Sequence, residues 1–235
     1  MLVDCDPDTW CLDVDHVAAL ITPRTRAIML VHMYGHPADM DPLRELANRH
    51  GLVLIEDAAQ AHGAEYKSRR CGGLGDISCF SFYANKIITT GEGGMVLTDH
   101  DDWAAHARAY RNLCLRSDRR FYHEELGENY RMTNLQAALG VAQLDRVEEI
   151  VAHKRAMAAA YTERLRSCEA LQLPAEREWA RSTFWMYGVV VSEDTGMCAG
   201  DLAQRLQERG VQTRPLFLGM NEQPAFRGMG LFEGE

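Results

Sequence analysis

Lysine is scarce in this sequence, and a long apolar run is missing. Of the 25 basic residues among 235, only three are lysines: Lys67, Lys86 and Lys154. No apolar stretch reaches the roughly 18 residues of a membrane-spanning helix, and the opening MLVDCDPDTW lacks the basic and apolar regions of a signal peptide. We therefore expect a cytoplasmic protein without membrane contact, in which any lysine chemistry has three candidates.

Paired cysteine motifs are also missing. The seven cysteines include no Cys-x-x-Cys pair, which argues against a disulfide framework and a four-thiolate zinc site. His32 and His36, with Asp39 and Asp41 nearby, leave a predicted strand into a proline turn, so we expect no metal there. The formal net charge of −9 disfavours binding to a phosphate backbone, and we expect no nucleic-acid partner.

The first half of the chain alternates apolar strands with helical patterns. The composition, 46% hydrophobic and 25% charged, is that of a globular chain. The predicted elements are strands at 26–33, 52–55, 77–83 and 94–98, and helices at 41–50 and 99–111. This alternation predicts an α/β fold with a mainly parallel sheet flanked by helices.

The second half predicts helices and then a smaller unit. Residues 133–167 predict two helices or one kinked helix. Beyond them the predicted elements are strands at 184–191 and 211–214 and a helix at 201–209. We expect a large domain over residues 1–168 and a smaller α+β C-terminal domain over residues 169–235.

Three side chains with useful chemistry lie where predicted strands end. Asp57 follows the strand at 52–55, and Ser81 and Lys86 lie at and just past the end of the strand at 77–83. The carboxyl ends of parallel strands form the ligand crevice of an open sheet. A carboxylate there can hold a protonated ring nitrogen, a hydroxyl can donate to a phosphate, and a desolvated lysine can act as an amine nucleophile. Position alone leaves Asp57 open between ligand binding and capping of the next turn.

Other candidates are weaker. Lys67 and Lys154 lie in charged surroundings and are predicted to be solvated surface lysines. Residues 89–94 (TTGEGG) could offer backbone N–H groups to a phosphate, but they match no phosphate-loop motif, and two glycines together are more often a plain turn. Residues 116–129 predict a long functional loop, and the aromatic and basic part at 116–122 is predicted either to meet a nucleotide diphosphate or to be solvated.

Four motifs, taken together and in order, resemble a known family. They are IEDAAQAHG at 55–63, GD through SFYANK at 75–86, TTGEGGM at 89–95 and NYRMTNLQAA at 129–138. They resemble the sugar-nucleotide aminotransferases of the DegT/DnrJ/EryC1/StrS family over nearly the whole chain, and NKIITTGEGGM is most similar to its GDP-perosamine branch. The resemblance implies PLP-dependent transferase fold type I and transfer of an amino group from glutamate to a nucleotide-linked keto deoxy sugar, GDP-4-keto-6-deoxymannose being favoured. It also implies polysaccharide biosynthesis, such as that of O-antigen.

The same resemblance implies a role for individual residues. Lys86 is implied to form the Schiff base with pyridoxal 5'-phosphate (PLP), and Asp57 to pair with the pyridine nitrogen. Gln60 is implied to lie beside the ring oxygen, and Ser81 to bind the phosphate. These four residues make up the cofactor site that we expect within one subunit.

A second implied pair belongs to a neighbouring subunit. Asn129 and Arg131 are implied to reach into that subunit's site, which makes the active enzyme a homodimer with shared sites. Two alternatives stay open: a PLP-fold sugar dehydratase, in which histidine replaces the lysine retained here as Lys86, and an incompetent remnant that acts only as a binding or structural protein. Family members extend past both ends of this chain and include an N-terminal Ser/Gly/Thr phosphate loop, so we expect weak PLP binding and little turnover from these residues alone.

Overall fold

The structure is a computed structural model that describes residues 1–115, 118–119, 121–123 and 125–232. Within these ranges the strands are β1 (Ala27–Val31), β2 (Val53–Asp57), β3 (Glu65–Tyr66), β4 (Arg69–Arg70), β5 (Ile77–Ser81), β6 (Gly94–Thr98), β7 (Leu171–Gln172), β8 (Ala180–Arg181) and β9 (Val190–Val191). The α-helices are α1 (Val14–Leu20), α2 (Met40–His50), α3 (Asp101–Tyr110), α4 (Asn134–Leu144), α5 (Val147–Leu165), α6 (Ala199–Gln207) and α7 (Pro224–Gly228). No helix in the described part of the chain is both long and apolar enough to cross a bilayer.

The central sheet has the strand order β1-β2-β5-β6. Strands β1, β2 and β5 run parallel, and β6 is antiparallel to β5. In β1 and β2 alternate side chains are buried, and helix α2 packs its buried Leu43 and Ala47 into the same core. The predicted α/β fold with a mainly parallel sheet flanked by helices is confirmed.

The helix predictions hold, and two strand predictions are wrong. The pattern at 133–167 forms two helices, α4 and α5, with Thr133 capping the first. Residues 184–191 form a strand only at β9, because Phe184 has a positive φ of 47° and Trp185 donates its backbone N–H to Tyr34 instead. Residues 211–214 form no strand, since the N–H of Val211 closes the end of α6 on the carbonyl of Leu206.

The C-terminal segment after α5 contributes strands only to two small sheets, β4-β3-β8 and β7-β9, within the described residues. Strand β8 pairs with β3, and Trp179 packs on Tyr66, so this part lies on the main core. Strands β7 and β9 pair with each other, and α6 follows them. The division into domains at 168/169 stays a prediction.

Glu56 is a fully buried carboxylate, 0% exposed, one residue before the end of β2. Its Oε2 accepts from His32 Nε2 at 2.9 Å and from the N–H of Gly72 at 2.6 Å, while Oε1 accepts from the N–H groups of Leu74, at 2.6 Å, and Gly75. Burial acts to raise the pKa of Glu56, but the hydrogen bond from His32 and the amide donors outweigh burial and leave the pKa below its ordinary value. The glycine-rich loop is thereby fastened to the sheet.

We expect Glu56→Gln to destabilise the fold by about 2–4 kcal/mol, because glutamine offers one acceptor oxygen and turns an NH₂ group toward buried N–H donors. Urea unfolding at neutral pH measures the change in the free energy of unfolding. Glu45→Gln is the matched control, since Glu45 is exposed and pairs with Arg49 one turn along α2. Equal stability of the two variants would contradict the role of Glu56.

Candidate active site

Three predicted site residues lie at the carboxyl edge of the parallel strands. Asp57 is the last residue of β2, and Ser81 is the last residue of the neighbouring strand β5. Lys86 lies in the turn after β5, where its N–H donates to the carbonyl of Tyr83 at 3.0 Å. One oxygen of Asp57 accepts from the N–H of Ala59 at 3.0 Å. The structure therefore brings Asp57, Ser81 and Lys86 to one edge, as the sequence predicts.

The amine of Lys86 is half-buried against an aromatic ring. Its Nζ lies 4.0 Å from the ring centroid of Trp185. Burial lowers the pKa of Lys86, and the nearby carboxylate of Asp57 opposes that effect. A larger fraction of this amine is thus neutral and nucleophilic than in a solvated lysine.

The other two lysines differ from each other. Lys67 is exposed and forms an ion pair with Asp41 at 2.6 Å, as expected of a surface lysine. Lys154 is half-buried on α5, and burial lowers its pKa, so the prediction of a solvated side chain is wrong for this residue. The charged local sequence gives no sign of this burial. Lys86 remains distinct because a carboxylate at the strand edge acts on it.

Gln60 is oriented by the loop after β1. Its Oε1 accepts from the N–H of Tyr34 at 2.7 Å, so its amide NH₂ is the group that it can offer to a ligand. Tyr34 has a positive φ of 52°, a conformation that non-glycine residues adopt at a cost. The loops after β1 and β2 are joined through this contact.

Asn129 and Arg131 form a separate exposed pair. Nε of Arg131 donates to Asn129 at 3.1 Å, and its Nη1 donates to Asn112 at 2.7 Å. Among the contacts of the described residues, none joins this pair to Asp57, Ser81 or Lys86. The predicted role of Asn129 and Arg131 in a neighbouring subunit stays a prediction.

The glycine-rich segment 89–94 is braced by α4. Gln143 accepts from the N–H of Thr89 at 3.1 Å and donates to its carbonyl at 2.6 Å, and Gln136 donates to the carbonyl of Glu92 at 3.1 Å. The N–H groups of Thr90 and Gly91 are bound by protein acceptors. These contacts favour the interpretation of the segment as a braced turn over that of a phosphate loop.

Two remaining hypotheses from the sequence concern a metal site at His32 and His36 and the stretch at 116–122. His32 binds Glu56, and His36 hydrogen-bonds the carbonyl of Pro37 at 2.7 Å and the N–H of Arg177 at 3.2 Å, so both histidines have protein partners. The described residues hold no cluster of three or more histidine, cysteine or acidic side chains suited to a metal. Of the aromatic and basic stretch at 116–122, residues 116, 117 and 120 lie outside the described residues.

His62 and Trp185 are site residues that sequence reasoning missed. The ring of His62 is 4% exposed and lies beside the rings of Phe80 and Phe82, at 5.1 and 5.8 Å between centroids. Neither ring nitrogen of His62 has a hydrogen-bond partner among the described residues. Burial, with the charge of Lys86, lowers the pKa of His62 to about 4. For His62 the motif IEDAAQAHG was the available signal; for Trp185 the apolar run that contains it predicted a strand instead.

Comparison with known proteins gives one consistent result. The model of the DegT/DnrJ/EryC1/StrS aminotransferase family matches residues 1–232. The chain is 45% identical over 227 residues to GDP-perosamine synthase of Caulobacter vibrioides, covering 96% of this chain and 61% of that protein. It is 37% identical over 234 residues to dTDP-3-amino-3,4,6-trideoxy-alpha-D-glucose transaminase of Streptomyces venezuelae, covering 99% and 60%.

A solved structure agrees with these sequence matches. The X-ray structure of S. venezuelae DesV superposes with a TM-score of 0.88 at 37% identity, covering 96% of this chain and 60% of that one. The chain thus spans about three fifths of the length of these relatives.

We expect the buried neutral His62 to make stability pH-dependent. Its pKa is about 4 when folded and 6.5 when exposed, so the unfolded state binds the proton first and stability falls as the pH drops from 6.5 to 4. The loss attributable to His62 is on the order of 3 kcal/mol. Unfolding of His62→Leu across this range should show a shallower decline than the unchanged protein, and exposed His153→Gln should not. Parallel pH curves for His62→Leu and the unchanged protein would contradict the assignment.

Proposed function

The chain belongs to the DegT/DnrJ/EryC1/StrS aminotransferase family, and from that membership we propose that the protein moves an amino group from glutamate to a keto carbon of a nucleotide-linked deoxy sugar. PLP is the cofactor of this family, and the fold is PLP-dependent transferase fold type I. The proposal for this chain rests on Lys86, a half-buried amine of lowered pKa with the carboxylate of Asp57 nearby.

The residues at the carboxyl edge of β2 and β5 fit PLP. Lys86 supplies the amine, Asp57 a carboxylate for the ring nitrogen, Gln60 an amide for the ring oxygen and Ser81 a hydroxyl for the phosphate. When bound, PLP supplies an electrophilic carbon and an electron sink. With PLP bound, Asp57 would hold a proton at the pyridine nitrogen by a charge-assisted hydrogen bond. That proton is what makes the sink effective.

Lys86 is also placed for proton transfer. With PLP bound, a free Nζ at this position would be the group that accepts a proton from the reacting carbon and returns it. Burial against Trp185 favours the neutral amine that this transfer needs. His62 stays neutral at working pH, so it adds no positive charge beside Lys86.

For the substrate we favour a GDP-linked 4-keto-6-deoxymannose. Support comes from the 45% identity to the GDP-perosamine synthase of Caulobacter vibrioides; those of Escherichia coli O157:H7 and Vibrio cholerae are 38% and 35% identical, near the 37% of the dTDP-3-amino sugar transaminase. A dehydratase of this fold needs histidine at the position of Lys86, and a remnant has no need of Asp57, Ser81 and Lys86 together, so both alternatives are less favoured. A role in O-antigen or other polysaccharide biosynthesis and a cytoplasmic location remain predictions.

We also propose that two copies share their sites. Asn129 and Arg131 are exposed and held together as a pair, anchored through Asn112 at the end of α3. An exposed guanidinium in a fixed orientation is suited to the phosphate of a cofactor bound by a second copy. A homodimer would place each pair in the partner's site.

We expect borohydride reduction of the PLP-loaded protein to attach the cofactor to Lys86. Peptide mapping separates this lysine from Lys67 and Lys154. Lys86→Arg should lose both the label and turnover because arginine stays protonated. Lys154→Arg is the matched control, since Lys154 is also half-buried with a lowered pKa, and it should keep both. Attachment to Lys154 in the unchanged protein would overturn the assignment of Lys86.

We expect subunit exchange between two inactive variants to restore activity if sites are shared. The Lys86→Ala variant lacks the amine of the site, and the Arg131→Ala variant lacks the guanidinium that the partner's site would use. A hybrid dimer has one site with Lys86 from one copy and Arg131 from the other. Mixing the variants under exchange conditions should therefore return part of the aminotransferase rate. Measurable exchange without any recovered activity would count against shared sites.

A further inference from the structure

Trp185 contacts the loop that contains Lys86 in more than one way. The indole is 5% exposed and packs with Ile87 and Ile88, the two residues after Lys86. Its Nε1–H donates to the carbonyl of Asn85, the residue before Lys86, at 2.8 Å. The ring face lies 4.0 Å below the amine of Lys86. One side chain thus holds the lysine loop on both sides of the lysine and covers the amine.

The backbone of Trp185 is itself fixed to the rest of the strand edge. Its N–H donates to the carbonyl of Tyr34 at 2.9 Å, and the N–H of Tyr34 donates to Gln60 at 2.7 Å. Two residues earlier, the N–H of Thr183 donates to the carbonyl of Gly35 at 3.0 Å. A Cβ in place of the Gly35 hydrogen would lie 2.1 Å from the hydroxyl of Thr183. The loops after β1, β2 and β5 are therefore connected through Trp185.

We propose that Trp185 is a positioning residue for Lys86: its indole anchors the lysine loop through Asn85 and shields the free amine from water on its ring face. The inference rests on the proposed function of Lys86 and adds a residue to that site. Indole faces attract ammonium groups, which confines Nζ to one position while it is free. A fixed and partly desolvated amine reaches its reaction partner with less rearrangement.

The charged groups around Lys86 set the direction of the expected change. Asp57, on β2, favours the ammonium form, and buried His62, beside β5, is neutral. Loss of the indole removes an ammonium-stabilising ring face and also admits water to Nζ. Burial outweighs the charge of Asp57 and lowers the pKa of Lys86, so we expect the readmitted water to be the larger effect and the pKa of Lys86 to rise in the variant.

Competitive acylation of the lysines with acetic anhydride in the PLP-free protein, followed by peptide mapping across pH, measures this directly. In Trp185→Leu the neutral fraction of Lys86 at fixed pH should fall several-fold, because the pKa of the hydrated amine rises toward its ordinary value. The profile of Lys154 should stay unchanged and serves as an internal control. Trp179→Leu is the matched variant, because Trp179 packs on Tyr66 and His36 in the other core cluster. A Lys86 profile in Trp185→Leu that matches the unchanged protein would overturn the proposal.

Trp185→Phe tests the anchor separately and serves if the leucine variant does not fold. It keeps a ring face over Nζ but loses the Nε1–H donor to Asn85. We expect a Lys86 profile near that of the unchanged protein, with kcat reduced by about tenfold and KM for the keto sugar unchanged. An unchanged kcat in Trp185→Phe would overturn the anchoring role.

Failure of the proposed function gives a different result. It would appear as PLP attached to a lysine other than Lys86 in the unchanged protein. The acylation profile does not depend on PLP, so it tests Trp185 whatever that outcome is. The two conclusions can therefore fail separately.

Discussion

The buried carboxylate of Glu56 is the interaction on which the strand edge depends. A charge without solvent is tolerated only when donors surround it, and here the donors come from His32 and from the backbone of the loop at 72–75. The N–H of Ala38 donates to Nδ1 of His32, which leaves the proton on Nε2, facing Glu56. The carboxylate therefore joins β2 to His32, just after β1, and to the loop at 72–75.

This constraint also fixes the residue after it. Successive side chains of a strand point to opposite faces, so a Glu56 held in the core commits Asp57 to the other side of the sheet. Gly75 completes the arrangement, since a Cβ there would lie 2.7 Å from the carbonyl oxygen of Leu54. Glu56, a structural carboxylate, and Asp57, a candidate cofactor ligand, are thus neighbours in sequence with different surroundings. Glu56 is buried and hydrogen-bonded, whereas Asp57 lies at the edge of the sheet where a ligand would bind.

The local sequence pattern predicted the strands of the sheet but not the side chains that surround Lys86. Apolar β-branched runs identified β1, β2, β5 and β6, and strand-end position brought out Asp57 and Ser81. The apolar run at 184–191 predicted a long strand where only β9 forms, because isolated buried aromatic side chains give the same sequence pattern as a buried strand. The prediction for Lys154 was also wrong, since charged neighbours in sequence do not reveal that its side chain becomes half-buried when the chain folds.

Trp185 could not be predicted because its partners are distant in sequence. Its indole bonds to Asn85, 100 residues earlier, and no periodic pattern spans that distance. The family motifs name Lys86 without naming what holds it. Tertiary contacts of this kind are visible only when the chain is folded. From the sequence, the place of Lys86 near a strand end indicated the direction of its pKa shift and nothing more.

The distance between Lys86 and Trp185 along the chain has a consequence for biosynthesis. The pairings of β1, β2 and β5 join residues about 25 positions apart, so the sheet edge can form while the chain is still being made. The indole that covers the lysine leaves the ribosome much later, and closing so long a loop costs more chain entropy. Until Trp185 has packed, Lys86 lacks the ring face over its amine, so we expect its lowered pKa only in the folded chain.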